Sequence, residues 1–286
     1  MKVLLMKLIY FADIKRKESA EAVEVFRKFA EGKAEILENC FGRKNCADFA
    51  GIADIAVVIG GDGSILHAAH SLLGAGIPAA GINMGRLGFL AEFSLEHLEK
   101  HFDQIFKGRF AVEKKQLINC ETVKKDGTVE TACALNDIAI NSGRPFNTIE
   151  MEIEVNSSPV TSCVGDGIVV CTPTGSTAYN LSAGGPIISN DVEAVCITPL
   201  NPHSLSFRPV VVDSRKVIHI YPLSVNEGSS VNADGQNIAE LNDVESIKIE
   251  KSPQNFEIIS NPDKTEWDVL AYKLKWAQKP HYKEKG

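Results

Sequence analysis

The sequence predicts an α/β domain followed by an antiparallel β domain. In the first third, apolar strand-like runs alternate with segments of helical spacing, as in a parallel sheet covered by helices. After about Val112, apolar residues recur at every second position and helical signals become scarce, as in strands with one wet face. We therefore expect a Rossmann-like α/β domain over residues 1–112 and a β-sandwich domain over residues 113–258. A tail of residues 259–286 should pack back on the first domain.

Individual elements of the first domain follow from its apolar pattern. Nearly continuous apolar runs predict buried parallel strands at Val3–Tyr10, Ile55–Ile59 and Ile77–Ile82. Apolar residues three and four positions apart predict helices at Glu18–Phe29, at Ile65–Leu73 and from Ser94, as the cap, to Gly108.

The second domain is predicted to consist of short strands. Ile149–Val155 alternates strictly between apolar and charged residues, and Asp126-Gly127 is a hairpin signal. We expect further strands at Ile138–Asn141, Gly167–Cys171, Ala194–Thr198, Val217–Tyr221, Ser246–Ile249 and Phe256–Ile258. In the tail, Trp267–Trp276 is expected to be helical or irregular.

Composition limits the class of protein. Of the 286 residues, 44% are hydrophobic and 23% charged, and the net charge of −7 argues against broad nucleic-acid binding. The seven cysteines include no CxxC pair, which predicts reduced, mostly buried thiols in a cytoplasmic protein. No apolar stretch is long enough to span a bilayer, so we expect no membrane partner. The negative net charge leads us to expect no nucleic-acid partner.

The loop of residues 60–64, Gly-Gly-Asp-Gly-Ser, lies between a predicted strand and a predicted helix. Glycines let the backbone approach a phosphate chain, and a helix start offers N–H groups to anions. Asp62 suits such a loop if it accepts a proton from an attacking hydroxyl or helps to hold Mg²⁺. The alternative is a tight turn in which Asp62 caps the helix. The loop matches neither GxxxxGK[ST] nor GxGxxG.

Two further segments have the composition of a ligand site. Asn136-Asp137 can hydrogen-bond a vicinal diol, although an ordinary turn is the alternative. Asp166 lies between two glycines, and residues 174–186 are dense in small and hydroxylated side chains. Such a segment can pack closely on a planar ligand, with Tyr179 as its one large flat surface.

Taken in order, these motifs resemble those of bacterial-type NAD kinases along the whole chain. The resemblance rests on GGDGS, NMGRLGFL, LND, GDGIVVCTPTGSTAYNLSAGGP, PLNPHSLSFRP and ADGQ. The TPTGSTAYNLSAGGP stretch is highly specific, whereas GGDG is shared with diacylglycerol and sphingosine kinases. The resemblance implies the NAD kinase/diacylglycerol kinase-like fold.

The resemblance also implies roles for individual residues. It makes Asp62 the catalytic carboxylate that accepts the proton of the ribose 2′-hydroxyl, with Gly63 beside it. His67 matches a position that is often basic and contacts the cofactor, although a plain surface histidine is the alternative. Asn136 and Asp137 match the pair that holds NAD at its ribose and adenine.

Other implied contacts lie further along the chain. Asp166 matches a carboxylate that contacts the nicotinamide end from a neighbouring subunit, and Gln236 matches a contact in the DGQ motif. Asn147 stands where many relatives have His or Arg, and Val164 where some carry a basic residue, so the chain departs from the family there. The segment that cradles adenine and ribose corresponds to Thr177, Ala178, Tyr179, Asn180, Leu181 and Ser182.

The implied reaction is ATP + NAD → ADP + NADP, with Mg²⁺ or another divalent metal as cofactor and no residue assigned as a metal ligand. NAD is expected in the cleft between the domains, and the assembly is expected to be a homodimer or homotetramer. Two alternatives stay open: a lipid kinase that uses the same GGDG loop, and an NAD-binding module without turnover. The chain lacks the amphipathic stretch that would dock a lipid kinase on a membrane.

Overall fold

A computed structural model describes residues 5–85, 87–144 and 148–276. Asn147 and the last residues, HYKEKG, lie outside the described residues. The chain divides into two compact units. The first unit holds the residues up to Lys114 and those from Glu257 onward, and the second unit is Lys115–Phe256.

The first unit is an α/β structure with a parallel sheet. Its strands are β1 (Met6–Phe11), β2 (Ala34–Asn39), β3 (Ile55–Ile59), β4 (Ala79–Asn83) and β5 (Phe93–Ser94). Its helices in this part of the chain are α1 (Lys17–Ala30), α2 (Asp62–Leu72) and α3 (Leu98–Ile105). The strands lie in the order β2-β1-β3-β4, all parallel, and β5 also pairs with β4. The predicted α/β class is confirmed.

Apolar packing explains why these segments form a sheet covered by helices. All five residues of β3 are buried, as expected for a central strand. Helix α1 buries Ala22, Phe26 and Ala30, which recur on one face. The Phe26 and Phe102 rings meet edge to face at 5.8 Å between centroids. Because Phe102 is fully buried, its truncation to alanine would cost roughly 3–5 kcal/mol.

Two boundaries differ from the sequence prediction in ways that affect the site. Helix α2 begins at Asp62, three residues before the predicted start at Ile65, so Asp62 lies in the first helical turn. Strand β2 was not predicted, because only half-buried or exposed residues occupy it and its apolar signal is correspondingly weak. It pairs with β1 through Met6 opposite Ala34.

The second unit is an antiparallel β-sandwich, as predicted. Its strands are β6 (Val112–Lys124), β7 (Val129–Ala134), β8 (Asp137–Asn141), β9 (Ile149–Val155), β10 (Ser158–Gly165), β11 (Gly167–Cys171), β12 (Ala194–Leu200), β13 (Val210–Asp213), β14 (Ile218–Ser224), β15 (Ser230–Ala233), β16 (Gln236–Glu240) and β17 (Val244–Ile259). One sheet has the order β13-β12-β11-β8-β15-β16, and β10-β9-β14-β17 form the other layer. Met151 and Ile153 of one layer share a buried core with Ile168 and Val170 of the other.

Helical structure is scarce in the second unit, as predicted: the described part contains one short α-helix, α4 (Tyr179–Ser182). The predicted hairpin at Asp126-Gly127 is confirmed by the antiparallel pairing of β6 with β7. The two strands predicted at Ser246–Ile249 and Phe256–Ile258 are one continuous strand, β17.

The register of β8 against β11 places the ends of two site segments. Asp137 lies opposite Cys171, and Asn141 lies opposite Gly167. The Asn136-Asp137 turn therefore adjoins the segment that follows β11, whereas Asp166 lies at the other end of the same strand pair.

After β17 the chain returns to the first unit with helix α5 (Glu266–Leu274). Thr265 and Asp268 form a capping box that fixes the start of this helix. The described cysteines are all free and six of the seven are buried, as the sequence predicts. None of the helices described has the length and apolarity needed to cross a membrane.

Candidate functional site

In the first unit, Asp62 connects two loops that follow neighbouring parallel strands. Its Oδ2 accepts a hydrogen bond from the backbone N–H of Phe89 at 3.0 Å, and its Oδ1 accepts from those of Leu90 and Ala91 at 3.0 and 3.2 Å. Asp62 follows β3, and the three donors follow β4. Loops at the carboxyl ends of adjacent parallel strands are where α/β sheets bind ligands.

Close packing beneath Asp62 explains a glycine in the NMGRLGFL run. A Cβ at Gly88 would lie 2.0 Å from Oδ1 of Asp62. The chain therefore needs a residue without a side chain where the loop passes the carboxylate.

The position of Asp62 in helix α2 bears on the alternative in which it caps the helix. The helix begins at Asp62 and Gly61 occupies the N-cap position. A carboxylate has about four acceptor positions, and these three hydrogen bonds occupy two on Oδ1 and one on Oδ2. Within the described part of the chain, one position on Oδ2 is left to accept a further hydrogen bond. The half-buried side chain lies at a helix N-terminus, where anions bind favourably.

Gly63 and His67 occupy the next positions of α2. Gly63 is exposed, and a Cβ there would meet nothing within 4 Å, so its backbone is open to a ligand. His67 is half-buried and packs edge to face on Phe41, with 5.7 Å between ring centroids. The structure thus places His67 against the loop that follows β2, one helical turn from Asp62.

In the second unit, Asp234 fixes the Asn136-Asp137 turn, and sequence analysis missed this residue. Its Oδ1 accepts from the backbone N–H of Asn136 at 2.8 Å and of Asp137 at 3.1 Å, and its Oδ2 accepts from Leu135 at 2.8 Å. In return, the Asp234 N–H donates to the carbonyl of Asp137 at 3.0 Å. Asp234 has a positive φ of 47° in the turn between β15 and β16, which suits the Asp-Gly sequence. That dipeptide was the available signal.

The segment after β11 packs directly on the same turn. The Thr172 hydroxyl donates to the carbonyl of Leu135 at 2.5 Å and accepts from the Gly175 N–H at 3.1 Å. A Cβ at Gly175 would lie 2.0 Å from the Asn136 carbonyl oxygen. The structure therefore brings Asn136 and Asp137 together with the predicted adenosine segment.

Asn180 holds that segment in place from inside. Its side chain is fully buried, and its amide donates to the carbonyls of Ser176 at 3.0 Å and Pro186 at 2.9 Å. Its Oδ1 accepts from the Thr198 hydroxyl at 2.6 Å. The neighbouring predicted residues are more accessible: Thr177, Ala178 and Leu181 are half-buried, and Tyr179 and Ser182 are exposed.

Tyr179 links the two ends of the β8–β11 pair. Its hydroxyl donates to Oδ1 of Asn141 at 3.2 Å. Burial, followed by the negative charges of Asp137 and Asp166, raises the pKa of Tyr179. Asp166 in turn accepts from Nδ2 of Asn201 at 2.8 Å. The Tyr179 side chain therefore reaches from the Asp137 end of this strand pair to Asn141 at the Asp166 end. The supporting residues Asn141 and Asn201 were not identified from the sequence.

Asp137 is a buried acid whose pKa is raised above its ordinary value. Its side chain is 6% exposed. Burial, and secondarily the charge of Asp234, raises its pKa to about 7. Both the carboxylate and the carboxylic acid are therefore present near neutral pH.

The remaining predictions concern Gln236 and metal ligands. Gln236 is exposed at the start of β16, two residues from Asp234. Asn147 lies outside the described residues. Among the residues the structure describes, no group of three or more His, Cys, Asp or Glu side chains is arranged to hold a metal ion.

A fixed carboxylate at a helix N-terminus, and a second unit with a polar Asn-Asp turn near an exposed aromatic ring, are compatible with a nucleotide-dependent phosphotransferase. Two family models match the chain: the ATP-NAD kinase N-terminal domain over residues 13–110 and the C-terminal domain over residues 135–261. The chain belongs to the ATP-NAD kinase family, and it is a phosphotransferase that acts on NAD.

Individual relatives agree with this assignment. The chain is 41% identical to the NAD kinase of Cellvibrio japonicus over 79% of this chain and 75% of that protein. It is 36% identical to the NAD kinase of Thiobacillus denitrificans over 84% of this chain and 82% of the relative.

Two solved structures are similar in fold. The yeast NADH kinase complexed with NADH has a TM-score of 0.84 at 23% identity, over 99% of this chain and 91% of that one. The Archaeoglobus fulgidus NAD kinase in complex with ATP has a TM-score of 0.73 at 26% identity, over 94% of this chain and 98% of that one.

Proposed function

We propose that the chain transfers the γ-phosphoryl group of ATP to the 2′-hydroxyl of the adenosine ribose of NAD, with Asp62 as the proton acceptor. The observation that carries this role is the fixed carboxylate with one acceptor position left, at the N-terminus of α2. Three backbone donors hold the carboxylate in one orientation, so little reorganisation is needed when the hydroxyl loses its proton. The reaction supplies NADP, so the protein acts in NADP biosynthesis.

Residues of the second unit would bind NAD. Asn136 and Asp137 would hydrogen-bond the ribose hydroxyls, and the exposed ring of Tyr179 would pack on a flat part of the ligand. Thr177, Ala178, Leu181 and Ser182 would line the same surface, while Asn180 would act by holding their segment. Gln236, His67 and Gly63 are the remaining predicted contacts in the described part of the chain, and the same role is proposed for Asn147.

A divalent cation, Mg²⁺ in the simplest case, would neutralise charge on the transferred phosphates. The described residues fit a cation held mainly by the nucleotide, because Asp62 offers one acceptor position and no larger acidic cluster lies around it. The chain's own contribution is then to aim the 2′-hydroxyl and to accept its proton.

The proposal extends to organisation and location. We assign the phosphoryl-transfer loop to an N-terminal domain of residues 1–112, NAD binding to residues 113–258, and a packing role to the tail of residues 259–286. The protein is proposed to be cytoplasmic and to form a homodimer or homotetramer in which Asp166 serves a neighbouring subunit's site.

Assays with radiolabelled ATP test the reaction. Label should appear in NADP when NAD is the acceptor, and none should appear in lipid when diacylglycerol vesicles are supplied. Transfer to diacylglycerol would support the lipid kinase alternative, which the family membership does not favour. Binding of NAD without transfer would support a non-catalytic module.

The shared site is tested by mixing two inactive variants. Asp62→Asn and Asp166→Ala should each be nearly inactive alone. Refolded together in equal amounts, random pairing should restore about a quarter of the sites if each site takes the two residues from different subunits. A mixture shown to contain hybrids but without recovered activity would contradict the sharing of residues.

A further inference from the structure

We propose that Asp234 is a positioning residue that fixes the geometry of the Asn136-Asp137 turn and controls the charge on Asp137, and thereby makes NAD binding depend on pH. This inference rests on the proposed contact between Asp137 and the ribose. Asp234 need not touch the ligand to have this effect.

The geometric part follows from the hydrogen bonds. The Asp234 carboxylate accepts hydrogen bonds from three consecutive backbone N–H groups, those of Leu135, Asn136 and Asp137. The return bond from the Asp234 N–H to the Asp137 carbonyl closes the arrangement. Because all three of these N–H groups are hydrogen-bonded to Asp234, this residue sets the direction in which the Asn136 and Asp137 side chains leave the backbone.

The electrostatic part follows from what faces Asp137. Among the described residues, the titratable groups that act on it or are affected by it are Asp234, Cys171 on the neighbouring strand and Tyr179. The pKa of Cys171 is raised by its hydrogen bond with Cys196 and by burial, and the pKa of Tyr179 is raised by burial. Both are neutral at pH 7, so the charge of Asp234 is the one that opposes ionisation of Asp137.

The consequence for binding has a definite sign. The carboxylate form of Asp137 accepts hydrogen bonds from ribose hydroxyls through both oxygens, whereas the acid form must use one oxygen as a donor. Burial and Asp234 raise the pKa of Asp137 to about 7. NAD binding should therefore weaken below that pH, with the dissociation constant rising about tenfold per pH unit.

Substitution of Asp234 separates the two effects. Asp234→Asn keeps an oxygen acceptor for the Asn136 and Asp137 N–H groups and a residue type tolerant of positive φ. It removes the charge and the oxygen that accepts from the Leu135 N–H. The pH midpoint of NAD binding should fall by roughly 0.5–1 unit, as expected of one short-range like charge. Asp234→Gly also tolerates the backbone conformation but removes every side-chain acceptor. It should lower the midpoint too and weaken NAD binding at all pH values.

A matched control exists in the same unit. Asp126-Gly127 is also an Asp-Gly hairpin turn, and it contains none of the site residues. The Asp126 carboxylate accepts a hydrogen bond from the Thr128 N–H at 2.8 Å. Asp126→Asn should leave both the affinity and the midpoint unchanged. Circular dichroism before each titration confirms that the variants are folded.

The affinity for NAD is measured by isothermal titration between pH 5.5 and 8.5. The protonation of Asp137 in the free protein is followed by infrared spectroscopy, and its carboxyl band is assigned as the one that disappears in Asp137→Asn. A lower midpoint in Asp234→Asn by both methods is the expected result. Weaker binding with an unchanged midpoint, or an infrared midpoint that does not move, would overturn the control of charge by Asp234. If Asp137→Asn bound NAD as the wild type does, the contact between Asp137 and NAD would be wrong, while the infrared titration would still test the inference.

Discussion

In both units an aspartate side chain holds a loop in place, but the proposed roles of the two aspartates differ. In each, one aspartate binds three consecutive backbone N–H groups: Asp62 holds residues 89–91, and Asp234 holds residues 135–137. In the first unit, the aspartate that holds the loop is also the proposed proton acceptor. In the second unit, Asp234 holds the turn and a different residue, Asp137, is the proposed ligand contact.

This difference leads to different expectations for mutations. A change beneath Asp62 displaces the reactive group itself, so the loss should appear in kcat. A substitution of Asp234 or another supporting residue in the second unit alters the position or the charge of the proposed NAD-binding side chains. The loss of activity should therefore appear in KM or in the pH profile.

Among substitutions at positions that support the site, the largest expected effect comes from Gly88→Ala. The new methyl carbon would lie 2.0 Å from Oδ1 of Asp62, so either the carboxylate or the loop must move. Because a positioned base contributes roughly 10²–10⁴ in rate, we expect kcat to fall by about 10². Gly85→Ala is a poor control, because Gly85 has a positive φ of 112°.

Gly63→Ala separates the position of the carboxylate from contact with a ligand, since a Cβ there meets nothing within 4 Å and leaves Asp62 in place. A loss of activity in this variant would therefore reflect the proposed ligand contact of Gly63. Steady-state kinetics of both variants decide the matter. A Gly88→Ala enzyme with wild-type kcat would show that the position of the Asp62 carboxylate is not critical.

A stability effect of intermediate size is expected for Asp137→Asn. The pKa of Asp137 rises from 3.8 to about 7 on folding, so the native state holds a proton that the unfolded state releases. Native stability should therefore fall as pH rises from about 4 to about 7. At pH 8 the asparagine variant, which avoids the buried charge, should be more stable by on the order of 2–4 kcal/mol.

Urea unfolding of the ligand-free protein at pH 4.5 and pH 8 measures this change. The gain should be small at the lower pH and should reach its full size at the higher one. Equal stability of the two proteins at pH 8 would contradict a buried carboxylate at this position.

The smallest effect is expected for Thr198→Val, which removes the donor to the buried Oδ1 of Asn180. An unpaired buried acceptor costs roughly 1–3 kcal/mol. The segment that carries Tyr179 should loosen, so KM for NAD should rise while kcat changes little. Thermal unfolding and steady-state kinetics together test this, and a fall confined to kcat would place Thr198 in the chemical step instead.

The sequence predicted what depends on periodicity and on recognisable motifs. Buried strands such as Ile55–Ile59 and Gly167–Cys171 have the predicted bounds, because continuous burial leaves an apolar run. Strands with exposed faces, such as Ala34–Asn39 and Ser158–Gly165, were missed, because pairing in a sheet, rather than composition, holds them in place.

For the site, the sequence predicted which residues contact ligands but did not identify the residues that support them. Asp234 binds residues nearly a hundred positions earlier in the chain, and Thr198 on β12 binds Asn180 on helix α4. Such contacts depend on tertiary structure, so local spacing contains no record of them. The assignment of each ligand contact, including Asn147 and Gln236, stays a prediction.

The proposed role of Asp62 as acceptor of the proton of the attacking hydroxyl is tested by the turnover of Asp62→Asn. The control is Asp54→Asn, because Asp54 also accepts a backbone N–H, from Lys7 at 2.7 Å, just before β3 at the end opposite to the Asp62 loop. We expect NADP formation by Asp62→Asn to fall roughly 10²–10⁴-fold. NAD affinity by isothermal titration should be retained, and Asp54→Asn should keep its activity. Near-full activity of Asp62→Asn would contradict the account.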